Sequence, residues 1–161
     1  LIGRMALASN YVAQLRTAGL QVTGPRVGIL EAVGANPHAD TVTIFAAIRL
    51  TQPEVSRQTV YDVLNALTSA GLVRRIQPAG SVARYESRVG DNHHHVVCRA
   101  CGVIADVDCT VGEAPCLTAS ENDGGAAGFE IDEAEVIFWG MCAACSTPQV
   151  SDQPNSPNRR E

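Results

Sequence analysis

Apolar residues recur at helical spacing along the first part of this 161-residue chain. In "NYVAQLRTAGL", Tyr11, Val12, Leu15 and Ala18 share one face, and Gly19 ends the run. In "TGPRVGILEAVGA", Thr23 is a candidate cap, Pro25 sits in the first turn, Val27, Leu30 and Val33 form the stripe, and Gly34 is the expected stop. Ile44, Phe45 and Ile48 repeat the pattern before Pro53. In "SRQTVYDVLNALTSAGL", Ser56 is an N-cap, Val60, Val63, Leu64 and Leu67 make the buried stripe, and Gly71 stands where a left-handed C-cap belongs. The opposite face of this helix carries Arg57, Gln58, Tyr61, Asn65 and Thr68, side chains with reach and hydrogen-bonding tips.

"LVRRIQPAGSVARYES" then reads as two short strands around a Pro-Ala-Gly-Ser turn. Helices that end in a polar-faced helix and a hairpin make a winged helix-turn-helix, whose last helix enters the major groove of DNA. Beyond "ESRVGDN" the pattern changes. "HHHVVC", "GVIADVDC" and "FEIDEAEVIFWGMC" are strand-like, "VGEAPCLTASEN" is a candidate short helix, and "DGGAAG" is a loop. The tail from residue 147, rich in Pro, Ser, Asn and Gln, has little to bury and is expected to be disordered.

Charge sharpens this division. The net charge is −5, which is unusual for a nucleic-acid binder. Residues 1–90, however, hold nine Arg against five acids, and residues 91–161 hold three Arg against twelve acids. A basic half facing a polyanion and an acidic half with another task fit that asymmetry. No apolar run approaches the ~20 residues that span a bilayer. The opening stretch lacks the apolar core and cleavage site of a signal peptide, so a cytoplasmic location with no membrane partner is expected.

Six cysteines without an export signal point to metal ligation rather than disulfides. Cys98 and Cys101 form one CxxC pair, and Cys142 and Cys145 form a second. Four thiolates leave no open coordination position, which predicts a structural Zn2+ site, with an iron–sulfur cluster as the alternative. Cys109 and Cys116 have no ligand-like spacing. They read as small apolar residues rather than redox-sensing thiols, since nearby Asp106, Asp108 and Glu113 would not lower a thiol pKa.

With the cysteines committed to one ion, "HHH" needs its own account. On a strand His93 and His95 point to one face and His94 to the other. His93 and His95 can share an ion with oxygen donors from Glu86, Asp91, Asp106 or Asp108, or all three can be solvated surface histidines. A nitrogen and carboxylate sphere suits iron, manganese, zinc, nickel or cobalt. Set just after the DNA-binding half, such a site suggests a switch.

"TGPRVGIL", "SRQTVYDVLNALTSAGLV", "ARYE", "HHHVVCRACG" and "CAAC" together closely resemble the ferric uptake regulator (Fur) family of metal-dependent repressors, over about residues 10 to 146. The likeness is greatest to the FurA-like, peroxide-responsive branch. The resemblance implies an α+β fold: a winged helix-turn-helix domain over 1–88, a small α/β dimerisation domain with a four-cysteine zinc site over 89–146, and the tail. It implies a homodimer that represses transcription from palindromic operator DNA, controlling iron or peroxide-defence genes. Tyr61 would touch thymine methyl and phosphate, with Arg57, Gln58 and Arg26 as neighbouring contacts. The regulatory ion, Fe2+ or else Mn2+, Zn2+ or Ni2+, would be held by Glu86, His93, His95 and Asp106. One ligand of the family's site departs: its column falls on Asn36 in "NPHAD", with His38 two positions later as the replacement. A further family site uses a histidine in the last strand, where this chain has Glu133 and Glu135, so that site is not expected.

The rival classes are a zinc metalloenzyme and a structural zinc adaptor. The enzyme wants a general base beside an open metal position, and no HExxH motif supplies one. No small organic substrate is expected.

Overall fold

The computed structural model describes residues 2–91, 93–108 and 135–146, with side chains from residue 10 onward. Cys109, Cys116, Glu133, the candidate helix in "VGEAPCLTASEN", the "DGGAAG" loop and the tail from 147 lie outside the described residues.

Four helices come first: α1 (Ile2–Thr17), α2 (Gly24–Ala35), α3 (Thr41–Arg49) and α4 (Arg57–Ser69). Three of them start on a side-chain acceptor. Thr23 accepts from the Arg26 amide at 3.4 Å, Asp40 from Thr43 at 2.8 Å and Ser56 from Thr59 at 3.0 Å. Each such cap satisfies an amide the helix cannot, and contributes about 1 kcal/mol. Helices α1 and α4 end alike. Gly19 and Gly71 take the left-handed conformation (φ +70° and +67°), and the next amide reaches back five residues, Leu20 to Leu15 at 2.8 Å and Leu72 to Leu67 at 3.0 Å.

Gly34 does not stop α2, as its position suggested. The helix runs to Ala35 and is closed by Asn36, whose side chain donates to the Ala32 carbonyl at 2.8 Å. The glycine answers a packing need, because a Cβ there would come within 2.5 Å of the Tyr11 hydroxyl.

The core joins Leu15 of α1, Ile29, Leu30 and Val33 of α2, Ile44 and Ile48 of α3, and Val60, Val63, Leu64 and Leu67 of α4. Burying that stripe of α4 leaves Arg57, Gln58, Tyr61 and Asn65 facing outward.

The wing pairs β2 (Arg74–Ile76) with β3 (Arg84–Glu86), antiparallel, around a turn with Gly80 at φ +77°. A strand the hydrophobic pattern did not reveal, β1 (Ala39–Asp40), joins the free edge of β3 and gives the order β1-β3-β2. The second sheet holds β4 (His93–Cys98), β5 (Ile104–Asp108) and β6 (Ile137–Gly140) in the order β5-β4-β6, with β5 antiparallel and β6 parallel to β4. The short helix α5 (Ala143–Ser146) follows. No described helix is long and apolar enough to cross a membrane.

Candidate metal centres and nucleic-acid face

Parallel pairing of β4 and β6 puts the C-terminal ends of both strands side by side. A CxxC pair follows each end, so the two pairs meet. The four sulfurs of Cys98, Cys101, Cys142 and Cys145 lie within 4.8 Å of one another. The Cys101–Cys142 Sγ separation is 3.7 Å, which matches the edge of a tetrahedron of sulfurs ~2.3 Å from a central zinc. Amides of Cys101, Cys142 and Ala100 converge on Cys98 Sγ and lower its thiol to about 6. Cys145 is pushed up to about 12 by the crowding sulfurs of Cys142 and Cys101. One thiol is thus primed to ionise while another resists, and a cation at the centre would stabilise all four as thiolates, so the chemistry of the set fits zinc.

The second cluster forms where the two sheets meet. None of the three histidines of "HHH" is solvated: His93 is 4% exposed, His94 7% and His95 1%. His94 lies on the opposite face, edge-on to Phe138. His95 and His93 converge on Glu86, the last residue of β3 and itself 1% exposed. His95 Nε2 stands 3.2 Å from Glu86 Oε2 and His93 Nε2 3.1 Å from Oε1. His38 enters from the α2–β1 turn, its Nε2 3.1 Å from Glu86 Oε2 and 2.8 Å from Asp106 Oδ1. It does so in a left-handed conformation, φ +59°, the one described non-glycine residue there. A residue is held in that region when its surroundings impose it, and such places cluster at functional sites. Arg84 helps to impose it by donating from Nη1 to the His38 carbonyl at 3.0 Å.

One ligand atom from each of His38, Glu86, His95 and Asp106 falls within a 4.8 Å set. Opposite ligands around an ion at ~2.1 Å are about 4.2 Å apart, so the set has the right size. Its electrostatics also want a cation. Burial pushes the Glu86 carboxyl up, but hydrogen bonds from His38 and His95 and the nearby imidazoles outweigh it and bring the group to about 2. The His38 imidazole is raised, first by its hydrogen bond to Glu86, against the opposing effect of burial. His93 lies beside the four rather than among them. Its Nδ1 is 2.6 Å from Asp91 Oδ1. If that nitrogen carries the proton, Nε2 turns a lone pair toward the carboxylate of Glu86, an opposition that a shared proton or a cation resolves.

The outward face of α4 stands apart from both clusters. Tyr61 is 48% exposed. Gln58 donates to Asp62 at 2.8 Å, and the Arg57 guanidinium lies 5.2 Å from the centre of the Phe45 ring. Arg49 stacks on the same ring at 5.7 Å. Arg26, at the start of α2, is half-buried and donates to the Gln21 carbonyl at 2.7 Å. Between α4 and the wing runs a groove of about 440 Å³ lined by Tyr61, Asn65, Arg75, Gln77 and Val82, among others.

The sequence profile of the ferric uptake regulator (FUR) family matches residues 17–138. The chain belongs to the ferric uptake regulator family. The transcriptional regulator FurA of Mycobacterium tuberculosis is 69% identical over 147 residues, covering 91% of this chain and 97% of that protein. Ferric uptake regulation protein 1 of Mycolicibacterium fortuitum is 59% identical over 148 residues, covering 92% and 89%. Among solved structures, the ferric uptake regulator of Pseudomonas aeruginosa with manganese superposes with a TM-score of 0.62 at 26% identity, over 83% of this chain and 98% of that one. The two-part α+β architecture expected for a family member is the one observed.

Family resemblance left Asn36 and His38 as rivals for one position. Asn36 is occupied as the cap of α2, and His38 is the residue that meets Glu86. Asp91, named from sequence only as a possible oxygen donor to the ion, lies against His93; Arg88 across three acids and Arg49 on Phe45 were not singled out at all. Only the acidic spacing around "GDNHHH" and "ADVD" hinted at the first two.

Proposed function

We propose that this member of the family is a homodimeric repressor that binds palindromic operator DNA when a divalent cation, Fe2+ foremost, is held by His38, Glu86, His95 and Asp106, with His93 completing or steadying the sphere. The observation that carries this reading is the origin of those side chains. His38 and Glu86 flank the wing sheet, while His95 and Asp106 face each other across β4 and β5. An ion held by both sheets favours one arrangement of the two halves over others, and that differential binding is what a switch requires.

When bound, the ion would supply positive charge between Glu86 and Asp106, whose inner oxygens otherwise meet imidazoles. The chain's own residues carry the effect outward. His38 leads straight into Ala39, which pairs with Tyr85, and into Asp40, which caps α3. Glu86 ends the wing strand β3. Fixing His38 and Glu86 therefore fixes helix α3, helix α4 packed on it, and the wing. Tyr61, Arg57, Gln58 and Arg26 then face DNA, with Zn2+ at the four cysteines holding the second sheet. Residues 1–88 form the DNA-binding unit in this reading and 89–146 the dimerising one, in the cytoplasm, with iron or peroxide-defence genes as targets.

An enzymatic reading finds no support. A relative 69% identical over most of the chain is named a transcriptional regulator, which supports a regulator over an enzyme. The donor set also accepts Mn2+, Zn2+ or Ni2+.

The test is selection of random DNA duplexes by the zinc-loaded protein, anaerobically, with each divalent metal in turn. A palindrome enriched with Fe2+ and not without added metal is expected. Equal enrichment in the presence and absence of every metal overturns the switch. Enrichment led by another metal replaces iron as effector.

A further inference from the structure

Arg88 lies on the short segment that joins the wing to β4. Its guanidinium reaches three carboxylates: Nε is 2.5 Å from Asp91 Oδ2, Nη2 is 2.6 Å from Asp108 Oδ1, and Nη1 is 3.4 Å from Asp106 Oδ2. Two of those acids turn their other oxygen inward. Asp91 Oδ1 meets His93 Nδ1 at 2.6 Å, and Asp106 Oδ1 meets His38 Nε2 at 2.8 Å and His95 Nε2 at 3.8 Å. One side chain thus holds the outer oxygens of both carboxylates whose inner oxygens touch the histidines. The strand register explains the convergence. His95 is paired with Asp106 and His93 with Asp108, so all four side chains share a face of the β4–β5 hairpin beside Arg88.

We propose that Arg88 is the positioning residue of the imidazole–carboxylate site. Its planar fork fixes Asp106 with a single oxygen presented inward and fixes Asp91 against His93, so that the ligand set is formed before the ion arrives. Arginine suits this task. It offers five donors in a rigid plane and stays charged at any working pH, whereas lysine offers a compact point charge. Each exposed ion pair alone contributes little, but three on one planar group set an orientation. Outer partners of metal ligands typically govern affinity by 10- to 100-fold. The proposal rests on the reading that a divalent cation binds here.

The sign of one substitution separates positioning from plain charge. If Arg88 acted only as a nearby positive charge, removing it would tighten cation binding. If it positions Asp106 and Asp91, removing it weakens binding. The experiment uses the full chain with its cysteine zinc intact, titrated with Co2+ and followed by the metal's visible absorption. Arg88→Ala is expected to lower Co2+ affinity about 10- to 100-fold and to alter the band shape, with Arg88→Lys restoring only part. Asp108→Asn, which removes an anchor that touches no described histidine, should weaken binding less and should add little to Arg88→Ala. Melting curves of the zinc-loaded variants without added Co2+ that stay near wild type show that the fold is kept, and Asp108→Asn keeps the test open should Arg88→Ala not fold. Unchanged or tighter Co2+ binding by Arg88→Ala overturns the proposal, as does full rescue by lysine. Glu86→Gln serves as the control for the underlying reading. If it too binds Co2+ like wild type, the site itself is not where the ion goes.

Discussion

The four cysteines and the buried histidines differ first in where their side chains come from. The cysteines follow β4 and β6, neighbours in one sheet, and an ion there ties that sheet to itself. The other set draws His38 and Glu86 from the wing half and His95 and Asp106 from the second sheet. They differ also in donor type. Thiolates wrapped by amides close a tetrahedron, while imidazole and carboxylate form a harder, more adaptable sphere. An ion within one unit governs whether that unit exists. An ion between two units governs how they stand. A chain can therefore use one metal for folding and another for signalling without confusing them.

The largest effect should come from breaking the first cluster. Cys98→Ser or Cys142→Ser is expected to lose tightly held zinc and the dimer with it, since thiolate zinc sites are worth on the order of 10 kcal/mol, as much as a domain's stability. Sizing with metal analysis decides, and a folded dimer with stoichiometric zinc removes the structural assignment. Next is the paired change His93→Ala with His95→Ala. It should leave the dimer and its cysteine zinc in place while abolishing metal-stimulated DNA binding in a mobility-shift titration. Loss of the fold would erase the contrast between the two clusters.

Tyr61→Ala and Arg57→Ala should spare both clusters and still weaken specific DNA binding, each by roughly 1–3 kcal/mol, the scale of one base contact. Unchanged footprints for both would move recognition to another surface. The smallest effect concerns His38. Its imidazole is raised above its ordinary 6.5 by Glu86. Proton binding therefore stabilises the metal-free fold, fully so below pH 6.5, and this contribution fades as pH rises through the raised value. A metal competes for the same nitrogen, so its affinity should climb over that window. His38→Ala should flatten this dependence and lower affinity about tenfold, roughly 1.4 kcal/mol. A titration that overlays wild type would take His38 out of the sphere.

How much of this was readable beforehand depends on how local the cause is. The stripe of α4, its Ser56 cap and its Gly71 stop are set by neighbours in sequence, and the pattern revealed them. The CxxC pairs were legible because two thiols at that spacing converge whatever surrounds them. Strand β1 was not, since two residues carry no periodicity and Ala39–Asp40 is a strand only because β3 lies beside it. Gly34 read as a terminator because its true reason, the Tyr11 hydroxyl, comes from another helix. Family resemblance could nominate His38, but its reach depends on a left-handed backbone and on Arg84 holding its carbonyl. Burial of "HHH" was equally hidden, because it needs Glu86 from a different sheet.

The parallel pairing of β4 with β6 also makes closure of this sheet depend on a contact distant in sequence. β5 can join β4 as a hairpin, a local step. β6 must return across a stretch in which Cys101 and Cys142 stand 41 positions apart. Closing a flexible loop of that length costs roughly 3 kcal/mol in chain entropy, and few contacts reward it until the strand has docked. A metal ion captured first by Cys98 and Cys101 would give the returning pair a target and turn a search for register into a search for an ion. The cysteine centre would then act as the clasp of a closing ring.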